Sequence, residues 1–147
     1  VEEIAELLQV NGINALPYHA GLDSATRAGN QDAFLMEDCD VIVATIAFGM
    51  GIDKPDVRYV FHTNLPSSME AYYQEIGRAG RDGLTSETLM LYGLDDIRMR
   101  RMFIDQEQSA DDHKRREHKR LDQLIAFCET SSCRRVYEPC ICPPWYW

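Results

Sequence analysis

The chain has 147 residues, of which 45% are hydrophobic and 27% are charged, and its formal net charge is -9. This length predicts one domain of ordinary size with a small appendage, and the composition is that of a soluble globular protein. No apolar run reaches the roughly 18 residues that a membrane-spanning helix needs, so we expect no membrane partner. The acidic balance argues against a general polyanion-binding surface, although it leaves local phosphate contacts open.

The chain opens on VEEIAELLQV, which is an acidic amphipathic helix and not the basic start of a secretory signal. It begins without Met, so we expect a fragment of a longer intracellular protein, from a bacterial cytoplasm or a nucleus. The five cysteines are Cys39, Cys128, Cys133, Cys140 and Cys142. Their odd number argues against a disulfide framework, and the four near the chain end favour a metal site.

Helical and extended patterns alternate along the first two thirds of the chain. Spacing and capping residues predict, in order, a helix over 2–11, a strand over 13–18, a helix from 23 or 24 to 35, strands over 39–45 and 57–62, a helix over 67–80 and a strand over 86–93. Asn11-Gly12 ends the first helix, Asp23 or Ser24 can cap the second, and Ser67 or Ser68 can cap the third. The two central strands are apolar and rich in β-branched residues, which is typical of strands buried on both faces of a parallel sheet. We therefore predict an α/β fold that binds ligands at the carboxyl ends of its strands.

After residue 93 the pattern changes to helices without intervening strands. One helix is predicted over 95–106, with Ile97, Met102 and Phe103 on its buried face, and a second over 112–129. We place a domain boundary near residues 93 to 95.

The segment QEIGRAGRDG, residues 74–83, holds two arginines among three glycines. On a helical turn Arg78 and Arg81 would share one face, where two guanidinium forks suit a phosphate group. The alternative is an ordinary helix end with solvated arginines, and this stretch by itself does not choose between the two.

A second glycine-rich segment, ATIAFGMGIDKPDVR over 44–58, follows a predicted strand. Gly49 and Gly51 would let a ligand approach the backbone, Thr45 offers a hydroxyl and an amide to phosphate, and Asp53 suits a ribose hydroxyl. The alternative is a loop whose glycines only make turns. The sequence holds no G-x-x-x-x-G-K-[ST] motif, so we expect it to supply only half of a nucleotide site.

Four segments of the chain closely resemble RecQ-type DNA helicases. ATIAFGMGIDKPDVRYVFH (44–62) and SSMEAYYQEIGRAGRDG (67–83) are similar to motifs V and VI of that family. YHAGLDSATR (18–27) resembles the segment that precedes them, and TSSCRR (130–135) resembles the entry to the zinc-binding subdomain of the family. The resemblance covers nearly the whole chain.

The resemblance implies a superfamily 2 motor with two RecA-like lobes that bind ATP and Mg²⁺ between them and unwind DNA in the 3′ to 5′ direction. Residues 1–94 look like the second lobe, a three-layer domain with a mainly parallel sheet and an incomplete N-terminus. Residues 95–147 look like a truncated zinc-binding helical subdomain. The missing first lobe would carry the P-loop, the DE-box and most of the Mg²⁺ ligands.

On the nucleotide side, the resemblance implies roles for the residues of both long motifs. Arg81 matches the arginine finger. Arg78 would support the same phosphates or the neighbouring carboxylates, and Gln74 would tie the cleft together. Asp53 would hold the ribose.

On the DNA side, Thr45 would lie near the phosphate backbone, and His19 and Gly21 belong to the segment that lines the DNA. The basic run KRREHKR contains Lys114 and Arg115, and the family uses this helical region beside the DNA. The alternative is that this run is a solvated helix face whose positive charge is balanced by the acidic segment before it, residues 105–112.

The cysteines depart from the family pattern. Cys133 matches the first zinc ligand, but the connection that follows is far shorter, and only Cys140 and Cys142 remain of the three expected thiols. Cys128 is either a fourth ligand or a buried apolar thiol. A truncation, an internal deletion or an error in the gene model would each explain the pattern, so Zn²⁺ binding stays open.

Three functions are consistent with these patterns. The first is the second motor lobe of an ATP-dependent helicase. The second is a catalytically inactive fragment that binds DNA or another motor, and the third is a degraded gene product with neither role. In each case we expect the isolated chain to show no ATPase activity.

Overall fold

The computed structural model of the protein describes residues 1–45, 48 and 53–132. The elements in chain order are α1 (Glu2–Val10), β1 (Ala15–Tyr18), α2 (Ser24–Leu35), β2 (Val41–Ala44), β3 (Tyr59–His62), α3 (Met69–Ile76), β4 (Glu87–Met90), α4 (Leu94–Gln106) and α5 (Asp111–Glu129). Each predicted helix and strand is present, with ends that shift by a few residues. The chain divides into two compact units, Val1–Lys54 and Pro55–Trp147, and each is described by itself. The predicted boundary near residues 93 to 95 stays a prediction.

Unit 1 is built on the pair β1 and β2, which run parallel from Ala15↔Val41 to Tyr18↔Ala44. Helices α1 and α2 both contact this pair. Two parallel strands need a crossover between them, and α2 supplies it. The parallel arrangement that the alternating pattern predicts is therefore confirmed in this unit.

Helix α1 is attached to β1 at its C-terminal end. The Gln9 side-chain amide donates to the Ala15 carbonyl at 2.6 Å, and the Asn11 amide caps the helix by donating to the Leu7 carbonyl at 2.8 Å. Gly12 then takes a positive φ of 82°, where a side chain would be strained. The Asn-Gly pair therefore ends the helix, as the sequence predicts.

The predicted N-terminal caps of α2 and α3 are confirmed. The Asp23 carboxylate accepts from the amides of Ala25 and Thr26, both at 3.0 Å. The hydrogen bonds from Thr26, followed by that from Ala25, hold the pKa of Asp23 below its ordinary value. The Ser68 hydroxyl accepts from the Ala71 amide at 3.2 Å. Each cap satisfies amides that would otherwise have no partner in the first helical turn.

Unit 2 contains the second parallel pair, β3 and β4, in register from Tyr59↔Glu87 to His62↔Met90. The prediction that the central strands are buried on both faces is wrong for β3, which alternates between exposed and half-buried residues. Tyr59 and Phe61 are 60% and 62% exposed, and their rings stack on each other with centroids 5.8 Å apart. An apolar run does not by itself distinguish a strand covered on two faces from one covered on one face.

The hydrophobic core of unit 2 joins α3 to the C-terminal half of α5. Its buried members are Leu65, Met69, Tyr72, Leu121, Leu124 and Phe127. The three residues from α5 are spaced three apart and therefore lie on one face of the helix. The basic half of α5 and its apolar half thus occupy successive parts of one helix.

The predicted buried face of α4 is confirmed at Ile97 and is wrong at Met102 and Phe103. Met102 and Phe103 are 47% and 55% exposed, whereas Ile97 and Ile104 are the residues that pack against the core. Ile97 and Ile104 are seven positions apart, which is two helical turns, and Met102 and Phe103 point elsewhere.

Candidate nucleotide and nucleic-acid sites

Thr45, His19 and Gly21, which the sequence predicts to face DNA, lie at the carboxyl edge of the β1 and β2 pair. His19 follows Tyr18, and Thr45 follows Ala44, which is the register partner of Tyr18. The Thr45 amide donates to the Tyr18 carbonyl at 3.2 Å, and this bond extends the pairing by one step. The strand register therefore brings Thr45 beside the segment that carries His19 and Gly21.

The His19 imidazole is fixed by a contact on each ring nitrogen. The Gly21 amide donates to Nδ1 at 3.2 Å, and Nε2 lies 3.0 Å from a carboxylate oxygen of Glu2. Because Nδ1 accepts a hydrogen bond, the ring hydrogen of the neutral imidazole is on Nε2, where it donates to Glu2. A Cβ on Gly21 would lie 3.0 Å from Nδ1, so a side chain there would displace the ring.

The loop after Thr45 is described only at Phe48 and again from Asp53. The Phe48 ring packs edge-on against Tyr18, with centroids 4.7 Å apart, and Lys54 lies over Phe34 with its Nζ 5.7 Å from the ring centroid. Asp53 is exposed.

The predictions for Gly49 and Gly51 lie outside the described residues. Their assignment as ATP-binding positions therefore stays a prediction.

The motif VI segment of unit 2 departs from the predicted helix. Helix α3 ends at Ile76, and Arg78 and Arg81 lie in the turns that follow. The expectation that the two arginines share a helical face is therefore wrong. Glycine is a poor helix former, and after Gly77 the amides of Arg78 and Ala79 bond to carbonyls three residues back, which is a tighter turn than the α-helix. The Gly80 amide then bonds to the distant Val57 carbonyl.

The last turn of α3 is anchored to the end of β3. A carboxylate oxygen of Glu75 lies 2.6 Å from Nε2 of His62, and the His62 ring packs on Tyr72 with centroids 5.2 Å apart. Gln74, one position earlier, is exposed. Glu75 therefore fixes the exit of the helix, while Gln74 is left accessible.

Two glycines of motif VI take conformations that other residues rarely adopt. Gly80 has a φ of 65°, and a Cβ there would lie 2.9 Å from both the Leu84 carbonyl and the Ser86 hydroxyl. Gly83 has a φ of 80° with open space around it. Gly80 is thus required by both backbone conformation and close approach, and Gly83 by conformation alone.

The two motif VI arginines differ in exposure. Arg81 is exposed, and its Nε donates to the Gly77 carbonyl at 3.4 Å. Arg78 is half-buried, and its amide donates to the Glu75 carbonyl at 3.4 Å. Arg81 is therefore the more accessible guanidinium of the pair for a ligand.

Sequence reasoning missed the ionic contact between Arg58 and Asp82. The Arg58 Nη2 lies 2.5 Å from a carboxylate oxygen of Asp82. This hydrogen bond, followed by one from the Leu84 amide, holds the pKa of Asp82 below its ordinary value, and the same bond to Asp82 raises the pKa of Arg58. The residues are 24 positions apart, so no local spacing indicates the pair.

The basic run of α5 is partly satisfied by acceptors within the hairpin of α4 and α5. Lys114 donates to the Asp105 carbonyl at 2.6 Å, and Nε2 of His118 lies 2.9 Å from the Asp105 carboxylate. Arg115 is exposed. Asp105, which precedes the run, thus pairs with some of its donors, as the solvated-face interpretation expects.

The cysteine predictions are only partly within the described residues. Cys128 is half-buried and packs against the unit 2 core, as an apolar thiol would. Cys133, Cys140 and Cys142 lie outside the described residues. Within residues 1–45, 48 and 53–132, no group of three or more His, Cys, Asp or Glu side chains is arranged to hold a metal ion.

Comparison with known families identifies the chain. The model of the helicase conserved C-terminal domain matches residues 1–83. The chain belongs to this helicase family. The RecQ zinc-binding model matches residues 94–137, which confirms the RecQ resemblance in the helical part as well.

Relatives and solved structures agree with this membership. The chain is 48% identical over 138 residues to the RecQ-like DNA helicase BLM of Xenopus laevis, a match that covers 92% of the chain and 10% of that protein. It is 44% identical over 132 residues to the ATP-dependent DNA helicase RecQ of Bacillus subtilis, covering 90% of the chain and 22% of that protein. The DEAD-box protein SrmB of E. coli shares the fold at a TM-score of 0.55 and 32% identity, over 63% of the chain and 54% of SrmB.

The predicted α/β class, with parallel strands followed by helices, is thus confirmed. The chain spans about a tenth and about a fifth of the two helicase relatives. In the described part of the chain, no helix is long and apolar enough to cross a membrane.

Proposed function

We propose that the chain acts as the second motor lobe of an ATP-dependent RecQ-type DNA helicase, supplying motifs V and VI to hydrolysis that drives 3′ to 5′ unwinding. The observation that carries this proposal is the motif VI turn, in which an exposed Arg81 follows the short helix α3. Membership of the helicase C-terminal family, and 44–48% identity to RecQ helicases, support it. A DNA-associated, intracellular location follows from this function.

Arg81 supplies positive charge to the terminal phosphate of ATP as the bond to that phosphate breaks. An arginine supplied from a second body is worth about 10³ to 10⁵ in the rate of phosphoryl transfer. Arg78 and Gln74 support the phosphates and the cleft, and Asp53 accepts a hydrogen bond from the ribose. Mg²⁺ is held mainly by the first RecA-like lobe, which is the partner of this chain in the reaction.

The carboxyl edge of the β1 and β2 pair contacts the DNA backbone in this proposal. Thr45 is exposed there, and it offers a hydroxyl group to a phosphate oxygen. His19 and Gly21 line the same edge. Lys114 and Arg115 add phosphate contacts that do not depend on base sequence.

Zinc would be a structural ion in the helical region. The RecQ zinc-binding match includes Cys128 and Cys133 and ends before Cys140 and Cys142. The packing of Cys128 favours an apolar role, so we propose Cys133, Cys140 and Cys142 as the thiolate ligands. One equivalent of zinc in the purified protein, lost in Cys133→Ser, would support the site. A folded, metal-free protein would reject it.

The function is tested in a chimera in which the chain replaces the matching segment of the Bacillus subtilis RecQ helicase. We expect hydrolysis of ATP stimulated by single-stranded DNA, unwinding of a duplex with a 3′ tail, and loss of both in Arg81→Ala. The isolated chain should bind DNA without hydrolysing ATP. A folded chimera that binds DNA but never hydrolyses ATP would favour the binding-module alternative instead.

A further inference from the structure

Arg58 forms a three-point contact around the motif VI turn. Its Nη2 donates to the Asp82 carboxylate at 2.5 Å, its Nη1 donates to the Thr85 carbonyl at 3.1 Å, and its Nε donates to the Asp56 carbonyl at 2.9 Å. The guanidinium is a rigid planar fork, so three bonds in different directions fix it firmly. Arg58 therefore connects the segment before β3 to both sides of the turn that contains Asp82.

The Asp82 carboxylate is also fixed, because both of its oxygens accept hydrogen bonds. One carboxylate oxygen accepts from Arg58, and the other accepts from the Leu84 amide at 3.0 Å. The two side chains are 30% and 24% exposed, so water screens the pair only in part.

The backbone on either side of Arg81 is bonded to the segment that leads to Arg58. The Gly80 amide donates to the Val57 carbonyl at 2.9 Å, and the Asp82 amide donates to the Pro55 carbonyl at 3.1 Å. Arg81 is the residue between these two bonds. Its Cα is therefore fixed on both sides while its side chain is exposed.

We propose that Arg58 and Asp82 are positioning residues that hold Arg81 in the orientation needed to reach the terminal phosphate of ATP. This inference rests on the proposed function, because it concerns the same arginine. The ionic contact fixes the turn that carries Arg81, and it thereby fixes the position from which the Arg81 side chain would reach the phosphate.

The test measures kcat and KM for ATP in the complete chimera, with ATP affinity measured separately. We expect Asp82→Asn and Arg58→Gln to lower kcat by between about tenfold and a hundredfold with little change in ATP affinity, as for a misplaced catalytic group. Arg58→Lys keeps the charge but loses the fork, so it should fall between these variants and the unmodified chimera. The matched control is Asp122→Asn, which removes the carboxylate of the exposed Arg101–Asp122 pair on α4 and α5. It should leave kcat within about twofold.

A double-mutant comparison separates positioning from general destabilisation. If Asp82 acts through Arg81, then adding Asp82→Asn to Arg81→Ala should cause no further loss of the residual single-turnover rate. If Asp82→Asn lowers the rate of the Arg81→Ala chimera by the same factor as it lowers the rate of the unmodified chimera, the inference is overturned. If Asp82→Asn does not fold, as judged by thermal unfolding, Arg58→Lys carries the same comparison.

The failure of this inference differs from the failure of the proposed function. Normal hydrolysis in Arg81→Ala would overturn the proposed function. Loss of hydrolysis in Arg81→Ala together with normal kcat in both Asp82→Asn and Arg58→Gln would leave the function standing and overturn the positioning role.

Discussion

The two units hold their candidate functional residues by different means. In unit 1, His19 is held by the amide of Gly21, two residues away, and Thr45 is placed by the register of two paired strands. In unit 2, the turn around Arg81 is held by Pro55, Val57 and Arg58, which lie more than twenty positions earlier in the chain. Both arrangements join segments that are distant in the chain, but unit 1 relies on the regular pairing of two strands, whereas unit 2 relies on an irregular turn held by one ionic contact and two backbone hydrogen bonds. The unit 2 site should therefore be the more sensitive to mutation and pH.

The largest expected effect is on ATP hydrolysis, which we assign to unit 2, as compared with DNA binding, which we assign to unit 1. In the chimera, Arg81→Ala should lower the rate of ATP hydrolysis by about 10³-fold or more while ATP binding persists. Thr45→Val in unit 1 should instead weaken DNA binding and leave hydrolysis at saturating DNA nearly intact. Steady-state kinetics with DNA titration measures both. Equal loss of hydrolysis in the two variants would break the distinction between the units.

The next effect compares glycines that approach other groups closely. Gly80→Ala in unit 2 meets both a positive φ and backbone and side-chain atoms at 2.9 Å, so we expect a loss of stability well above the roughly 1 kcal/mol of the left-handed conformation. Gly83→Ala meets only the conformational cost and is the matched control. Gly21→Ala in unit 1 has no positive φ and needs only a shift of the His19 ring. Denaturant unfolding of the chain should rank the losses of stability in the order Gly80, Gly83, Gly21, and a different order would contradict the greater sensitivity expected of unit 2.

The dependence of Tm on pH should also differ between the two units. The pKa of Asp82 is lowered in the fold, so its stabilising contribution is complete above its unfolded value of about 4 and is lost as pH falls through the lower folded value. Asp82→Asn should therefore reduce Tm at pH 7 and flatten its decline below about pH 4. Asp23→Asn in unit 1 should change Tm less at pH 7, since Asn also caps helices well. Thermal unfolding from pH 7 to pH 2 measures this, and parallel curves for Asp82→Asn and the unmodified chain would contradict it.

The smallest effect concerns the basic run of α5. Arg115→Ala should weaken DNA binding uniformly across sequences and reduce the salt-dependence slope by about one. Lys114→Ala should have a smaller effect, because Lys114 already donates to the Asp105 carbonyl. Binding of single-stranded DNA at several salt concentrations measures both slopes. Unchanged slopes in both variants would favour the solvated-face interpretation.

Local signals in the sequence were sufficient for much of the fold. The sequence predicts Asp23 or Ser24 and Ser67 or Ser68 as caps, and the structure selects Asp23 and Ser68. Such caps are predictable because a side-chain oxygen before a helix meets unpaired amides only a few residues away. The alternation of strands and helices predicted the parallel pairs in the same way. The end of α3 at Ile76 was not predicted, because it depends on the bonds that Gly80 and Asp82 make to residues 55–57.

The candidate site shows the same division. Arg81 was identified from its motif, and its exposure agrees with that assignment. Arg58 was read only as part of a strand motif, because its partner Asp82 is distant in sequence and charge alone does not identify pairs. The exposed Met102 and Phe103 were misplaced for a related reason, since several faces of α4 carry apolar residues and only packing selects one.

Helix α5 connects the basic run at one of its ends to the core of unit 2 at the other. Its 19 residues form a rod about 28 Å long, with its cations toward one end and Leu121, Leu124 and Phe127 toward the other. Those apolar residues pack on α3, whose last turn leads directly into Arg78 and Arg81. Under the proposed function, this helix would connect the DNA contacts of Lys114 and Arg115 to the turn that carries Arg81 by packing alone.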